Sequence, residues 1–169
     1  MKKMFALVLA AALAVSVLAG CSKKENEGGE AAKGVNLTEF YGTIQEMMNE
    51  KYGEENAPVL EVMEDEMLDA FYPGLSELEL KQCVVAGPVI TAVVSEFALA
   101  EAQNAEDAAK VAEIFQTRID TQAEGGAWYP ETVEGWQNNA TVVTNGNFVF
   151  MVAMEDNEVY IAAFNELFQ

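Results

Sequence analysis

Residues 140–154, ATVVTNGNFVFMVAM, contain the clearest structural signal in the sequence. Two β-rich runs flank Asn145-Gly146, a pair typical of a two-residue hairpin loop with a type I′ turn, in which both loop residues take positive φ. A two-residue loop joins antiparallel strands, because parallel strands need a long crossover connection. The stretch therefore predicts an antiparallel sheet that includes a hairpin near residue 145.

Helical signals lie on both sides of this hairpin. Asn36 begins a run with apolar residues at helical spacing, which continues to about residue 49. Asn104 is a good N-cap for a second helix, which we expect to end at Gly125-Gly126. Asp156 or Asn157 caps a C-terminal helix. These three segments predict helices before, between and after the strands.

The remaining segments are less regular. Residues 58–72 have apolar residues at helical spacing, and Ser76 is placed to cap a short helix over residues 76–82. CVVAG and TAVVSEFALAEA, residues 83–87 and 91–102, are rich in Val and Thr and predict strands. The order predicts an α+β fold: a small antiparallel sheet with helices packed on one face, preceded by N-terminal helices.

Composition excludes several classes of function. The 169 residues include 28 acids, nine bases and no histidine, for a formal net charge of −19. Without histidine the chain cannot form a Ser-His-Asp or Cys-His catalytic arrangement, and a zinc site lacks its usual ligands. We therefore predict no metal centre and no cofactor. The negative charge repels nucleic acid and anionic lipid.

The N-terminal residues have the pattern of a lipoprotein signal. Lys2 and Lys3 precede an apolar run from Phe5 to Val17, which is too short for a confident membrane span and suits a signal peptide. Leu18-Ala19-Gly20-Cys21 then resembles the bacterial lipobox, in which cleavage before the cysteine accompanies its lipidation. An ordinary secretory signal is the alternative, but it does not require a cysteine directly after Leu-Ala-Gly.

These features divide the chain into three parts. We expect a signal peptide over residues 1–20, a lipidated Cys21 with a flexible tether over residues 21–34, and a single extracytoplasmic α+β domain over residues 35–169. Lipidation of Cys21 leaves Cys83 without a disulfide partner. Cys83 lies in an apolar run and is predicted to be a buried, inert thiol.

The sequence also resembles a known family. The segments DAFYPGLSELELKQCVVAGP, SEFALAEAQNAEDAAKVAEIFQTRID, WYPE and NGNFVFMVAMEDNEVYIAAFNELF are similar to a bacterial lipoprotein family, found mostly in Firmicutes, known as domain of unknown function 4358. The resemblance begins at about Met67. It implies the membrane anchor and the fold class, and it implies no catalytic residue or ligand.

Glu96 and Arg118 are the first candidate pair. Glu96 lies in a predicted strand, and Arg118, the sole arginine of the chain, lies late on the following helix. A strand and the next helix often pack together, so the two side chains are placed to meet. They are interpreted either as a structural ion pair or solvated charges, or as a site in which Arg118 grips a ligand carboxylate through two hydrogen bonds.

Two further segments carry candidate chemistry. Trp128, Tyr129 and Trp136 form either a binding patch for carbohydrate or peptide, or a plug at one end of a small core. Glu61, Asp65 and Asp69 share one face of the helix predicted over residues 58–72. That spacing is too wide for one Ca²⁺ ion, so a solvated acidic surface is favoured.

We therefore expect a membrane-anchored, extracytoplasmic and non-enzymatic domain that binds a protein partner or a cell-envelope component. Its acidity favours a basic partner and disfavours nucleic acid. The alternatives are a domain that binds a small ligand or Ca²⁺, and a hydrolase with two catalytic carboxylates.

Overall fold

The computed structural model of the chain describes residues 34–90 and 92–169. The predicted signal peptide, Cys21 and the tether up to residue 33 therefore lie outside the described residues. The five helices are α1 (Leu37–Tyr52), α2 (Asp65–Phe71), α3 (Ala105–Thr121), α4 (Pro130–Asn139) and α5 (Asn157–Glu166). The five strands are β1 (Leu60–Val62), β2 (Leu80–Pro88), β3 (Glu96–Ala102), β4 (Ala140–Asn145) and β5 (Phe148–Ala153).

The strands form one antiparallel sheet in the order β1-β2-β3-β5-β4. The two long central pairings are β2 with β3 and β3 with β5, while β1 and β4 lie at the edges. The α+β class and the antiparallel sheet predicted from the sequence are confirmed.

The β4–β5 hairpin forms, with its loop shifted by one residue from the prediction. Asn145 pairs with Phe148, so the two loop residues are Gly146 and Asn147. Gly146 has φ 57°, and Asn147 is not among the residues with positive φ. A glycine at the first loop position with positive φ there alone is the type II′ pattern rather than type I′.

Helices cover both faces of the sheet, whereas the sequence predicted helices on one face. Helices α1 and α5 pack on the first face around Phe97 and Phe150. Helices α3 and α4 pack on the second face around Ala98 and Met151. The reason is that all six residues of β5 are buried, as are six of the seven in β3, so both faces of the central strands require cover.

The capping predictions for α1 and α3 are confirmed. Asn36 accepts hydrogen bonds from the backbone N–H of Thr38 and Glu39 at 3.0 and 3.2 Å. Asn104 accepts one from Asp107 at 3.0 Å. Asp156 is the N-cap residue of α5, but its side chain accepts from Lys51 at 2.6 Å instead of capping the helix.

The helices predicted over residues 58–72 and 76–82 are wrong in part. Leu60–Val62 is an edge strand paired with Ala86–Pro88, and the helix begins only at Asp65. The second segment contains turns followed by the start of β2 at Leu80. In both segments, pairing with a neighbouring strand outweighs a short helical pattern.

Helix α4 was not predicted. It begins at Pro130, whose missing N–H costs nothing at the first helical position. The Thr132 hydroxyl donates to the Tyr129 carbonyl at 2.8 Å and accepts from the Tyr129 N–H at 3.3 Å, which stabilises the start of the helix. None of the helices in the part of the chain that the structure describes is long and apolar enough to cross a membrane.

Candidate functional site

Glu96 and Arg118 meet on the second face of the sheet. Glu96 is the first residue of β3, and Arg118 lies in the last turn of α3. Arg118 Nε donates to Glu96 Oε1 and Arg118 Nη2 donates to Glu96 Oε2, both at 2.8 Å. The side chain of Glu96 is 3% exposed and that of Arg118 is 10% exposed. This is a buried, bidentate ion pair, the strongest geometry available to these two groups.

Aromatic side chains enclose the ion pair. The Tyr72 hydroxyl donates to Glu96 Oε1 at 2.5 Å. The Arg118 guanidinium lies 4.7 Å from the ring centre of Phe71 and 5.4 Å from that of Trp136. Such contacts are favourable for a cation over an aromatic face. Rings thus replace water around the guanidinium, and a phenol donates the third hydrogen bond to the carboxylate.

This environment raises the pKa of both side chains that donate to Glu96, Tyr72 and Arg118. Burial raises the pKa of Tyr72 well above its usual value, and the neighbouring Glu96 carboxylate raises it further. For Arg118, burial opposes the charge, but the hydrogen bonds and charge of Glu96 outweigh burial and raise the pKa of Arg118. Tyr72 therefore stays a neutral donor and Arg118 stays a cation at physiological pH.

The ion pair changes the interpretation of Arg118. The sequence left open a structural ion pair, solvated charges, or a guanidinium that grips a ligand carboxylate, and in the structure Glu96 itself occupies the Nε and Nη2 edge of Arg118 as an ion pair. Arginine has five N–H donors, and Glu96 accepts two of them. Arg118 thus keeps donor capacity while its charge is balanced.

Arg118 and Glu96 line a cavity of about 130 Å³. Its walls are mostly apolar and aromatic and include Phe71, Trp128 and Trp136. Glu96 is the sole carboxylate among the described residues that line it. A hydrolase with two carboxylates would need a second one at this cavity.

A larger groove adjoins the cavity. It has a volume of about 400 Å³, and it shares three lining residues with the cavity: Pro88, Val93 and Ser95. Its other walls come from Pro58-Val59 and Val89-Ile90. Strand β1 begins, β2 ends and β3 begins at this end of the antiparallel sheet, so the three adjoining segments come together there.

Large apolar side chains are exposed around the groove and the cavity. Each of the following is more than half exposed: Val59, Val89, Ile90, Val93 and Trp128. We call these five residues the apolar end surface. Val59 is 72% exposed and Trp128 is 86% exposed, which is unusual for side chains of this type.

The three aromatic candidates separate in the structure. Trp128 and Tyr129 are exposed in the segment before α4, whereas Trp136 is buried on α4 against Arg118. Helix α4 approaches the β2–β3 connection closely at Gly135, where a Cβ atom would lie 2.8 Å from Val94 Cγ2. This glycine therefore lets α4 bring Trp136 to the ion pair.

The acidic candidates do not share one helix face. Glu61 lies on β1, whereas Asp65 and Asp69 lie on α2. Among residues 34–90 and 92–169, no group of three or more Cys, Asp or Glu side chains is arranged to hold a metal ion.

Cys83 is exposed, and the prediction of a buried thiol is wrong. Strand β1 pairs with β2 only over Ala86–Pro88, so Cys83 lies on a stretch of β2 without a strand partner on that side. The exposure of its side chain depends on what packs on the sheet face at that point, which an apolar run of sequence does not reveal. Nearby protein atoms still desolvate the sulfur and raise the pKa of Cys83 to about 11. Because Cys83 is exposed, a reagent can reach its thiol. Because its pKa is raised, only a small fraction of the thiol is ionised at neutral pH.

The positive charges of the described residues are all paired. Residues 34–169 contain four bases and 25 acids. Lys51, Lys81 and Lys110 each contact an acid at 2.6–3.2 Å, and Arg118 contacts Glu96. Paired bases leave most carboxylates of the surface unneutralised, so the domain is strongly anionic.

Sequence reasoning missed Tyr72, Ser95 and the groove. Tyr72 was indistinguishable from other aromatic residues near Pro73. Residues 88–94, PVITAVV, did carry a signal. This apolar run follows a Gly-Pro break, where a connection between strands is normally polar, and it supplies three residues of the apolar end surface.

The fold and the site define an α+β domain in which an antiparallel sheet lies between two helical layers, with a buried ion pair beneath an apolar end. The chain belongs to the family described as Domain of unknown function (DUF4358), whose model matches residues 51–154. The match contains all five strands and every residue of the site above, and it starts earlier than the resemblance noted from Met67. No curated protein and no solved structure matches the chain.

Proposed function

We propose that this protein is a bacterial lipoprotein, held at the extracytoplasmic face of the cell membrane through Cys21, whose domain binds a protein partner through the apolar end surface. The observation that carries the binding role is the exposure of five large apolar side chains around the groove and the adjoining cavity. Contiguous apolar surface of this kind is typical of interaction sites.

The lipobox pattern supports the anchor. A diacylglyceryl group on Cys21 carries two acyl chains, and two chains hold a protein stably where one holds it only marginally. Residues 22–33 are polar and glycine-containing, as expected for a tether. An anchored domain meets its partners in or near the envelope.

Charge supports a basic partner. Acidic residues flank the segments of the apolar end surface along the chain, including the exposed Glu54, Glu55, Glu61, Glu124 and Glu131. Exposed carboxylates and the net negative charge of the domain steer basic partners toward it and repel anionic ones. The same charge disfavours a second copy of this chain and anionic lipid as occupants.

A small ligand is the second candidate. The groove of about 400 Å³ lies within the usual size range of small-molecule sites, about 300–1,000 Å³. Most of its lining is apolar, which favours a hydrophobic molecule over a cation. The calcium alternative is not supported by any specific feature of the described residues.

The test is site-specific photo-cross-linking in cells. A photoreactive amino acid at Ile90 is expected to capture a partner, and the same amino acid at Val159 is the matched control. Val159 is also an exposed apolar residue, but it lies on α5 beside the other face of the sheet. Ile90→Glu is expected to abolish capture by a cross-linker placed at Trp128.

The anchor is tested in parallel by Cys21→Ser, which is expected to release the chain from membranes. Equal capture at Ile90 and Val159, or capture that persists in Ile90→Glu, would contradict the proposed surface. Retention of Cys21→Ser in the membrane fraction would contradict the proposed anchor.

A further inference from the structure

We propose that the cavity beneath the apolar end surface is a subsite for an uncharged hydrogen-bond acceptor, namely a main-chain carbonyl of an extended, apolar and basic peptide segment of the partner. The inference rests on the proposed function and names the chemistry that the surface recognises. In this subsite the side chains of Ser95 and Arg118 donate hydrogen bonds to the carbonyl oxygen.

Ser95 is the first observation. It is 1% exposed and lines both the cavity and the groove. Its Oγ atom has no hydrogen-bond partner among the described residues. Leaving a buried hydroxyl unpaired destabilises a protein, so a ligand group that pairs with Ser95 Oγ removes that cost.

Arg118 is the second observation. It lines the same cavity and donates two of its N–H groups to Glu96. Phe71, Trp128 and Trp136 also line this cavity, and in such an apolar environment a hydrogen bond is stronger than in water. Ser95 and Arg118 thus place two hydrogen-bonding side chains on the walls of one small apolar cavity.

The charge balance indicates which acceptor fits. Glu96 already neutralises Arg118, and an anionic ligand would meet that carboxylate at short range together with the net negative charge of the domain. A neutral carbonyl meets no such repulsion. A peptide presents a carbonyl at every residue and can carry an apolar side chain beside it, which matches a small cavity with two hydrogen-bonding side chains next to an apolar groove.

The shape of the surface indicates an extended segment. The groove between Val59 and Val93 accommodates apolar side chains, and the exposed ring of Trp128 lies at the cavity. Lysine side chains that flank the apolar residues of the peptide would be attracted by the net negative charge of the domain. The segment recognised is therefore apolar at its centre and basic at its ends.

The experiment uses the full lipoprotein in nanodiscs of neutral phosphatidylcholine, with empty discs as the blank. The probe is the labelled peptide acetyl-Lys-Val-Ile-Val-Lys-amide, followed by fluorescence anisotropy. Ser95→Ala is expected to weaken binding about tenfold, the effect of one lost hydrogen bond. The same variant is expected to keep or increase the urea midpoint of unfolding, because an unpaired buried hydroxyl is removed.

Ile90→Glu separates this inference from the proposed function. If Ile90→Glu abolishes peptide binding while Ser95→Ala leaves the affinity unchanged, the subsite is refuted and the apolar end surface stands. A peptide with Glu in place of both Lys residues is expected to bind at least tenfold more weakly. A hydrocarbon of similar size has no acceptor, so it is expected to bind the protein and Ser95→Ala equally, and weaker hydrocarbon binding by Ser95→Ala would contradict the hydrogen bond. Absence of peptide binding to the unmodified protein would also overturn the subsite.

Discussion

The buried ion pair gives the sharpest prediction, because its two members are almost fully removed from water. The perturbation is Arg118→Met, which keeps an unbranched apolar side chain and removes the guanidinium. Glu96, 3% exposed, would then keep Tyr72 as its remaining side-chain partner. Removing one member of a buried pair typically destabilises a protein by about 3–5 kcal/mol, because the other charge is left uncompensated.

That loss is a large share of the stability of a domain this size, which is about 5–15 kcal/mol. Urea unfolding followed by circular dichroism at pH 7 measures it directly. We expect the midpoint to fall strongly with an unchanged slope, and the melting temperature to fall by about 10 °C or more. Lys110→Met is the matched control, because Lys110 pairs with Glu106 and Asp107 at the surface. Its removal is expected to change stability little.

A multiple variant tests the cause. Tyr72→Phe, Glu96→Leu and Arg118→Met together replace the network by apolar groups of similar size, which is often neutral in a buried site. We expect the triple variant to recover most of the stability that Arg118→Met loses. A loss below about 1 kcal/mol for Arg118→Met, as for an exposed pair, would refute the reasoning, and so would a triple variant less stable than the single one.

Three further predictions concern single groups. Tyr72→Phe removes one hydrogen bond to a charged group and is expected to lower the free energy of unfolding by about 1.5–3 kcal/mol, measured in urea. Gly146→Ala places a Cβ at φ 57°, so a loss of about 1 kcal/mol is expected, and an unchanged melting temperature would contradict the turn assignment. In a Cys21→Ser background, Cys83 is expected to react slowly with a thiol reagent at pH 8 and progressively faster up to pH 11, because its pKa is raised to about 11. The pKa of Cys83 in the folded protein lies above the unfolded value of about 8.5. The folded state therefore holds this proton more tightly than the unfolded state does, so the free energy of unfolding is unaffected by this thiol below about pH 8.5 and falls as the pH rises toward 11. A labelling rate that levels off near pH 9 would contradict the shift.

Much of the fold could be predicted because its signals are local. Asn36 and Asn104 cap their helices through hydrogen bonds to residues two or three positions away, so a short window of sequence contains both partners. The Asn145-Gly146 pair similarly predicted a hairpin, and the α+β class followed from it. The exact loop residues depended on strand register, which the pair alone does not set.

The sequence by itself also determined which groups are available for chemistry: no histidine, a single arginine at position 118 and a strong excess of carboxylates. It placed Glu96 and Arg118 on adjacent elements. Which side chains share a cavity was decided by the tertiary structure, because that depends on how α2, α3 and α4 pack on the second face of the sheet. Tyr72 and Ser95 join the site only through this packing.

The same distinction explains the errors. Leu60–Val62 and the start of β2 follow from pairing with residues more than 20 positions away, and the exposure of Cys83 depends on which elements pack against β2. The caps at Asn36 and Asn104 and the presence of the β4–β5 hairpin depend on a few neighbouring residues, so the sequence alone determined them. Edge pairing, burial and the apolar end surface depend on free energies summed over distant contacts, and only the tertiary structure decided them.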